Sequence, residues 1–320
     1  MVFPMKGLLA HRSPLNQLLI LVGIALFCFF TIGMVGTIAL QAMTGLSVEA
    51  LADLKPASMA QPGMLTFLRG MQLVQFIGLF LVPSLICARL FSPEPNQFLG
   101  FRAPNLNAFW FWSILIMLIS LPFIQFIGEL NQRIVFPGGM KEWFQSQEKT
   151  AENTVKALLS VDTPKDLLLN IFFIAVLAGV GEELLFRGLI QRLLIRRYGI
   201  WVGILVAAAL FSGMHLQFYG FFPRFLLGIV LGILYAYSGS LWVAMLAHFF
   251  YDAMLITAAY LNPDLLDNES VVSFVQLILP ALVSLLLSIW VIRQMIHRSK
   301  EFPPEEPAFE AEDPNNPFSS

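Results

Sequence analysis

Apolar stretches of bilayer-crossing length recur along almost the whole chain, and they constrain the fold more than any other feature. Leu18 to Leu40 and Val271 to Ile292 each exceed the ~18 residues that mark a spanning candidate. The expected fold is therefore all-α, a polytopic transmembrane helical bundle. Composition agrees: 57% of residues are hydrophobic and 12% charged, against roughly 25% charged in soluble domains. The net charge of −2 is spread over loops and tail. No basic patch that would track a phosphate backbone is present, so nucleic acid is excluded as a partner. Cys28 and Cys87 sit inside apolar runs as small hydrophobes, without a CxxC pattern. Lys6 and Arg12 precede a first apolar run too long for a cleavable signal, which reads as an uncleaved first helix.

The expected spans are Leu18 to Ala42, Gln72 to Leu90, Ala108 to Gly128, Leu167 to Phe186, Trp201 to Phe218, Arg224 to Tyr237, Leu241 to Tyr260 and Val271 to Ile292, about eight. The span from Arg224 reads as the short, buried one, with Gly228 and Gly232 in a small-xxx-small spacing that lets backbones approach. Under this alternation Lys6, Arg12, Arg89, Arg102, Arg192, Arg196, Arg197, Arg293, Arg298 and Lys300 fall on one side, and Glu49, Asp53, Asp264, Asp267 and Glu269 on the other. The excess of basic residues predicts both termini in the cytoplasm of a multi-pass plasma-membrane protein. The connection Glu129 to Asp166 mixes charge with Trp143, Phe144, Val155, Leu158 and Leu159, fitting either a helix on the outer surface or an ordinary loop helix. Thr163-Pro164-Lys165-Asp166 reads as a helix start with a cap. Three regions follow: residues 1–163 with three helices and an outer loop, a core over 164–296, and an acidic, disordered cytoplasmic tail over 297–320. No fixed-period repeat, glycine-rich phosphate loop or HExxH motif occurs.

Ionisable residues inside a membrane cost ~2.5 to 3.5 kcal/mol each on insertion scales. Here they cluster, as Glu182, Glu183, Arg187, His215, His248 and Asp252, between the fourth and seventh spans. Glu183 and Arg187 are i and i+4, the favourable order for an ion pair on one helix face, as are Phe211 with His215 and His248 with Asp252. Glu182 points about 100° away from Glu183 and has no such partner. Glu183 and His215 each lie 14 positions from the Arg197-to-Trp201 hairpin, which brings them to one level; His248 needs tilt or an offset entry of its helix to join them. An unpaired carboxylate in a dry pocket can take a proton from water. One imidazole can orient that water and a second can hydrogen-bond a developing oxyanion, which suggests amide hydrolysis. The same donors, Glu182, His215 and His248, could instead hold a zinc ion with a water in its open position.

The runs Glu182-Glu183-Leu184-Leu185-Phe186-Arg187, Phe211-Ser212-Gly213-Met214-His215 and His248-Phe249-Phe250-Tyr251-Asp252 resemble the EExxxR, FxxxH and HxxxN/D motifs of the CAAX protease and bacteriocin-processing (CPBP) intramembrane endopeptidases, in particular the type II CAAX prenyl endopeptidases. The likeness covers Pro164 to Tyr260. It implies an eight-helix bundle with a buried site, an intramembrane protease with or without a metal, and a membrane-embedded or lipidated peptide or protein as substrate. Carried onto this sequence, Glu182 is the base that activates water and His215 its partner. His248 and Asp252 stabilise the oxyanion, and Glu183 and Arg187 support the site, with Phe211 packing beneath the histidine. Asp252 stands where the prenyl-protein branch has Asn; an ionised Asp cannot donate a hydrogen bond, which points instead to orienting His248. Two readings from other classes are a non-catalytic membrane scaffold or immunity-type factor using the same pocket, and a proton-coupled transporter.

Overall fold

A computed structural model of the chain describes residues 6–47, 61–159, 163–266 and 274–301, and among these every regular element is a helix. The principal helices are α1 (Pro14–Thr44), α2 (Met64–Phe91), α3 (Ala108–Gln132), α4 (Gly138–Leu159), α5 (Pro164–Tyr198), α6 (Ile200–Gly213), α7 (Phe221–Ser238), α8 (Leu241–Leu261) and α9 (Phe274–Glu301). Seven are long and apolar enough to cross a membrane, α7 being counted with the 3-10 turn Phe218–Gly220 before it, and α6 is the shorter eighth. The short passage is thus α6, with 14 residues, rather than the helix carrying Arg224. Gly213 ends α6, so His215 falls in the turn that follows it, where Leu216 takes a φ of 55°. Helix α9 runs to Glu301, so residues 297–301 are helical and not tail. The rest of the tail, and Glu49, Asp53, Asp267 and Glu269 of the topology argument, lie outside the described residues.

The helix ends that carry the basic residues meet one another. The Gly7 N–H donates to the Arg89 carbonyl (2.8 Å), Arg102 Nε to the Gly239 carbonyl (2.8 Å), and Asn105 Nδ2 to Ser299 Oγ (3.3 Å). The start of α1, the end of α2, the approach to α3, the end of α7 and the end of α9 therefore share one end of the bundle, as the loop charges require.

Two large buried clusters hold most of the bundle, and a smaller third lies under α4. One draws Leu21 from α1, Phe80, Cys87 and Phe91 from α2, Leu184 to Leu193 from α5, Phe211 from α6 and Met245 from α8. The other joins α3, α7, α8 and α9 through Phe109, Ile116, Leu231, Val243, Val291 and Met295. The first cluster crosses position 163, so residues before and after it share one core. Large side chains such as Phe27, Phe30, Leu279 and Leu286 are left exposed, as they must be where the surrounding medium is lipid. Both cysteines are free and buried.

Local devices account for the helix positions. Thr163 caps α5, its hydroxyl accepting from the Asp166 N–H (3.1 Å) and donating to Asp166 Oδ2 (2.6 Å). Arg69 of α2 then pairs with Asp166 at 3.0 Å and donates to Asn170 Oδ1, which pins α2 against α5. Pro122 interrupts the ladder of α3, and the Ser284 hydroxyl of α9 enters the gap. It accepts from the Phe123 N–H and donates to the Ile119 carbonyl, restoring both groups in a medium without water. Gly228 and Gly232 permit the predicted close approach: a Cβ at Gly228 would come 3.0 Å from Ala208 Cβ, and one at Gly232 2.7 Å from Gln191 Oε1. Helix α4 docks by an edge, with Leu158 buried beside Met64 and Phe67 and Phe144 packed on Phe136 and Phe218, while Trp143 and Val155 are exposed.

Candidate active site

Helix α5 carries the carboxylates between two π-helical turns, Ile171–Val176 and Phe186–Gln191; such insertions are frequent at functional sites because they re-aim neighbouring side chains. Glu183 points inward and is completely buried. Its Oε1 accepts from Arg187 Nη1 (2.8 Å) and from His248 Nδ1 (2.8 Å). Arg187 also donates to the Gly228 carbonyl (3.1 Å), which the missing side chain of Gly228 leaves accessible. The expected pair on α5 is therefore one side of a three-residue unit that reaches across to α8. His248 reaches the level of Glu183 from a helix whose start is held inside the protein, with Ser240 and Leu241 fully buried and the Leu241 N–H bonded to the Gly100 carbonyl.

Glu182, turned away from that unit, keeps 14% of its side chain exposed and lines a cavity of about 630 Å³ together with His215, His248 and Asp252. His248 Nε2 lies 3.4 Å from Asp252 Oδ2 and 4.0 Å from Glu182 Oε2. With Nδ1 occupied by a carboxylate, Nε2 is the ring atom that faces the cavity and its acceptors. His215 Nδ1 is 2.9 Å from the Phe211 carbonyl. A carbonyl only accepts, so Nδ1 carries the proton and the lone pair of a neutral His215 is on Nε2. Phe211 lies under both imidazoles, its ring centroid 5.4 Å from that of His215 and 5.8 Å from that of His248. The Arg187 guanidinium sits 4.7 Å over the same ring.

The three motifs thus converge on one cavity, through side chains from α5, the turn after α6, and α8. Arg224 was outside them, counted only as the edge of a span. It lines the cavity, donates from Nη2 to the Gln217 carbonyl (2.8 Å), and rests on Gly220, where a Cβ would meet Nη2 at 2.5 Å. A lone cation inside the aromatic run Phe218 to Phe225 was the available signal. Gln72, Gln75 and Tyr251 also line the cavity and were legible only as polar interruptions of apolar spans. Among the described residues no group of three His, Cys, Asp or Glu side chains is arranged to hold a metal ion.

The fold and site define a polytopic helical membrane protein with carboxylates and imidazoles gathered around one cavity. Residues 164–254 match the family model described as type II CAAX prenyl endopeptidase Rce1-like, over the stretch in which the resemblance was read. Among curated proteins, the chain is 31% identical over 113 residues to the uncharacterized protein YpbD of Bacillus subtilis (strain 168), covering 35% of this chain and 56% of that one. It is 30% identical over 103 residues to an uncharacterized 24.3 kDa protein of Escherichia coli, covering 31% of this chain and 48% of that one. The chain spans about half the length of these relatives. No solved structure matches it.

Proposed function

We propose that this protein is an intramembrane endopeptidase that hydrolyses a peptide bond of a membrane-embedded or lipidated protein or peptide, with Glu182 as the base. The observation that carries the reading is Glu182 on the wall of a cavity that His215, His248 and Asp252 also line, while the adjacent Glu183 is consumed by Arg187 and His248. The water oxygen bonds to the carbonyl carbon as its proton passes to the Glu182 carboxylate. That proton then leaves on the amine nitrogen when the C–N bond breaks. His215 Nε2 accepts a hydrogen bond from the attacking water, and His248, when Nε2 is protonated, donates to the oxyanion. Asp252, an acceptor when ionised, faces His248 Nε2 at 3.4 Å and holds its hydrogen until the oxyanion takes it over, while Glu183 holds Nδ1 from behind.

The family match over residues 164–254 supports a protease of the CAAX type, and a lipid-facing bundle supports a substrate delivered from the bilayer. The test is a comparison of protein termini in membranes from cells carrying wild-type protein or Glu182→Ala. New termini present with the wild type and lost with the variant are expected, and on purified substrate the rate should fall about 10²- to 10⁴-fold, the usual yield of a positioned acid–base group. Equal processing by both forms would refute the assignment.

A further inference from the structure

Helix α2 lies outside the matched family segment, yet it reaches the carboxylate assigned as base. Gly181, the residue before Glu182, permits this: a Cβ there would come 2.8 Å from the Phe76 ring and 3.0 Å from Phe80 Cβ. A π-helical turn beginning at Phe76 shapes the facing surface of α2. Between the two helices is a small cavity of about 30 Å³, whose only polar side chains are those of Gln72, Gln75 and Glu182. The cleft is half open and has room for water, which a protein holds through two to four polar partners. Gln72 and Gln75 are i and i+3 on α2, and neither amide has a hydrogen-bond partner among the described residues. Gln72 is half-buried and Gln75 exposed, and an amide left unpaired on a membrane span is costly unless water or a ligand meets it. They are also the only amide side chains lining the larger cavity.

We propose that Gln72 and Gln75 are positioning residues that hold, against Glu182, the water that becomes the nucleophile. An amide offers both a donor and an acceptor. A glutamine N–H can donate to the water oxygen, whose two hydrogens are directed at Glu182 and His215 Nε2, and the second amide can donate to the Glu182 oxygen that does not receive the proton. The inference rests on the proteolytic reading of Glu182 and adds the component that selects one orientation of the water.

The experiment replaces Gln72 and Gln75, singly and together, by Met, which keeps the length of the side chain and removes its hydrogen bonds. The full-length protein in lipid nanodiscs is assayed on a peptide substrate found by the terminus comparison above. The infrared carboxyl band of Glu182, identified by its loss in Glu182→Gln, is recorded in the same samples without substrate. The double variant should lose about 10- to 100-fold in kcat with KM within about twofold, the penalty of a misplaced reactant, and the carboxyl band should move. Gly181→Ala, which forces α2 away while keeping both amides, should move the band in the same way. A raised KM at unchanged kcat would show that the amides hold substrate and not water, and would overturn the proposal, as would an unmoved band. If wild-type protein cleaves nothing, the proteolytic reading fails, and the band still decides whether these amides and Glu182 share a water. Unchanged thermal unfolding of the Met variants separates either result from misfolding.

Discussion

Glu183 is fully buried and accepts from both Arg187 and His248, so its replacement by Gln leaves the Arg187 guanidinium in the core without its carboxylate, with only neutral acceptors such as the Gly228 carbonyl. Breaking a buried ion pair from one side costs about 3 to 5 kcal/mol. Glu183→Gln is accordingly expected to lower the thermal unfolding temperature in detergent far more than Glu182→Gln, whose carboxylate faces a cavity. Equal shifts for the two would contradict the division of labour between these neighbours. Glu148 on α4 gives a pH-dependent case outside the spans. Burial raises its carboxyl above the ordinary value, with the nearby Arg224 pulling the other way, and its Oε2 lacks a partner among the described residues. A raised carboxyl binds protons more readily folded than unfolded, so its contribution is fullest below the unfolded value and is lost as pH rises through the folded one. Glu148→Gln should therefore stabilise the protein around pH 8 and give no gain at about pH 4, as thermal unfolding at both pH values would report. At this scale the sequence revealed the charged set and the turn of Glu182 away from Glu183, because helical spacing alone fixes which neighbours share a face. It could not reveal that Glu183 binds His248 as well, since that contact joins residues 65 positions apart.

Within the helices, the wedge between α3 and α9 is the most exposed to a single change. Removing the Ser284 hydroxyl leaves the Phe123 N–H and the Ile119 carbonyl unsatisfied beside Pro122, at about 1 to 3 kcal/mol for a buried polar group. Ser284→Ala should lower the unfolding temperature, and Pro122→Ala in the same chain should restore much of the loss by letting the α3 ladder close. Additive effects of the two substitutions would argue against the wedge. The glycine spacing at Gly228 and Gly232 was readable in advance, as was the Thr163 cap, because each is a local pattern with a local consequence. The start of α2 was not: the expected span begins at Gln72, and the pairing of Arg69 with Asp166 and Asn170 that accommodates a cation in the first turns joins residues far apart in the sequence. The end of α6 was missed for the opposite reason, since apolar residues continue past Gly213 and hide the turn that positions His215.

Taken whole, the molecule brings its basic helix ends to one side, and the expectation is that this side faces the cytoplasm. Single cysteines at Arg197 and Lys300 should react with an impermeant maleimide only once the inner face is opened, and one at Asp264 from outside; Cys28 and Cys87, both buried, contribute no background. Labelling of Arg197 and Lys300 from opposite faces would break the eight-passage alternation. The 14 residues of α6 extend about 21 Å at 1.5 Å each, well short of a hydrocarbon core of about 30 Å. The turn bearing His215 is therefore expected to lie below the level of the headgroups, and where it faces lipid the bilayer is expected to thin towards it. Acyl-chain length then becomes a control on this protein: short-chain lipids relieve the thinning and long-chain lipids increase it, so the thickness of the host membrane tunes how readily water and chain segments reach the chamber beneath.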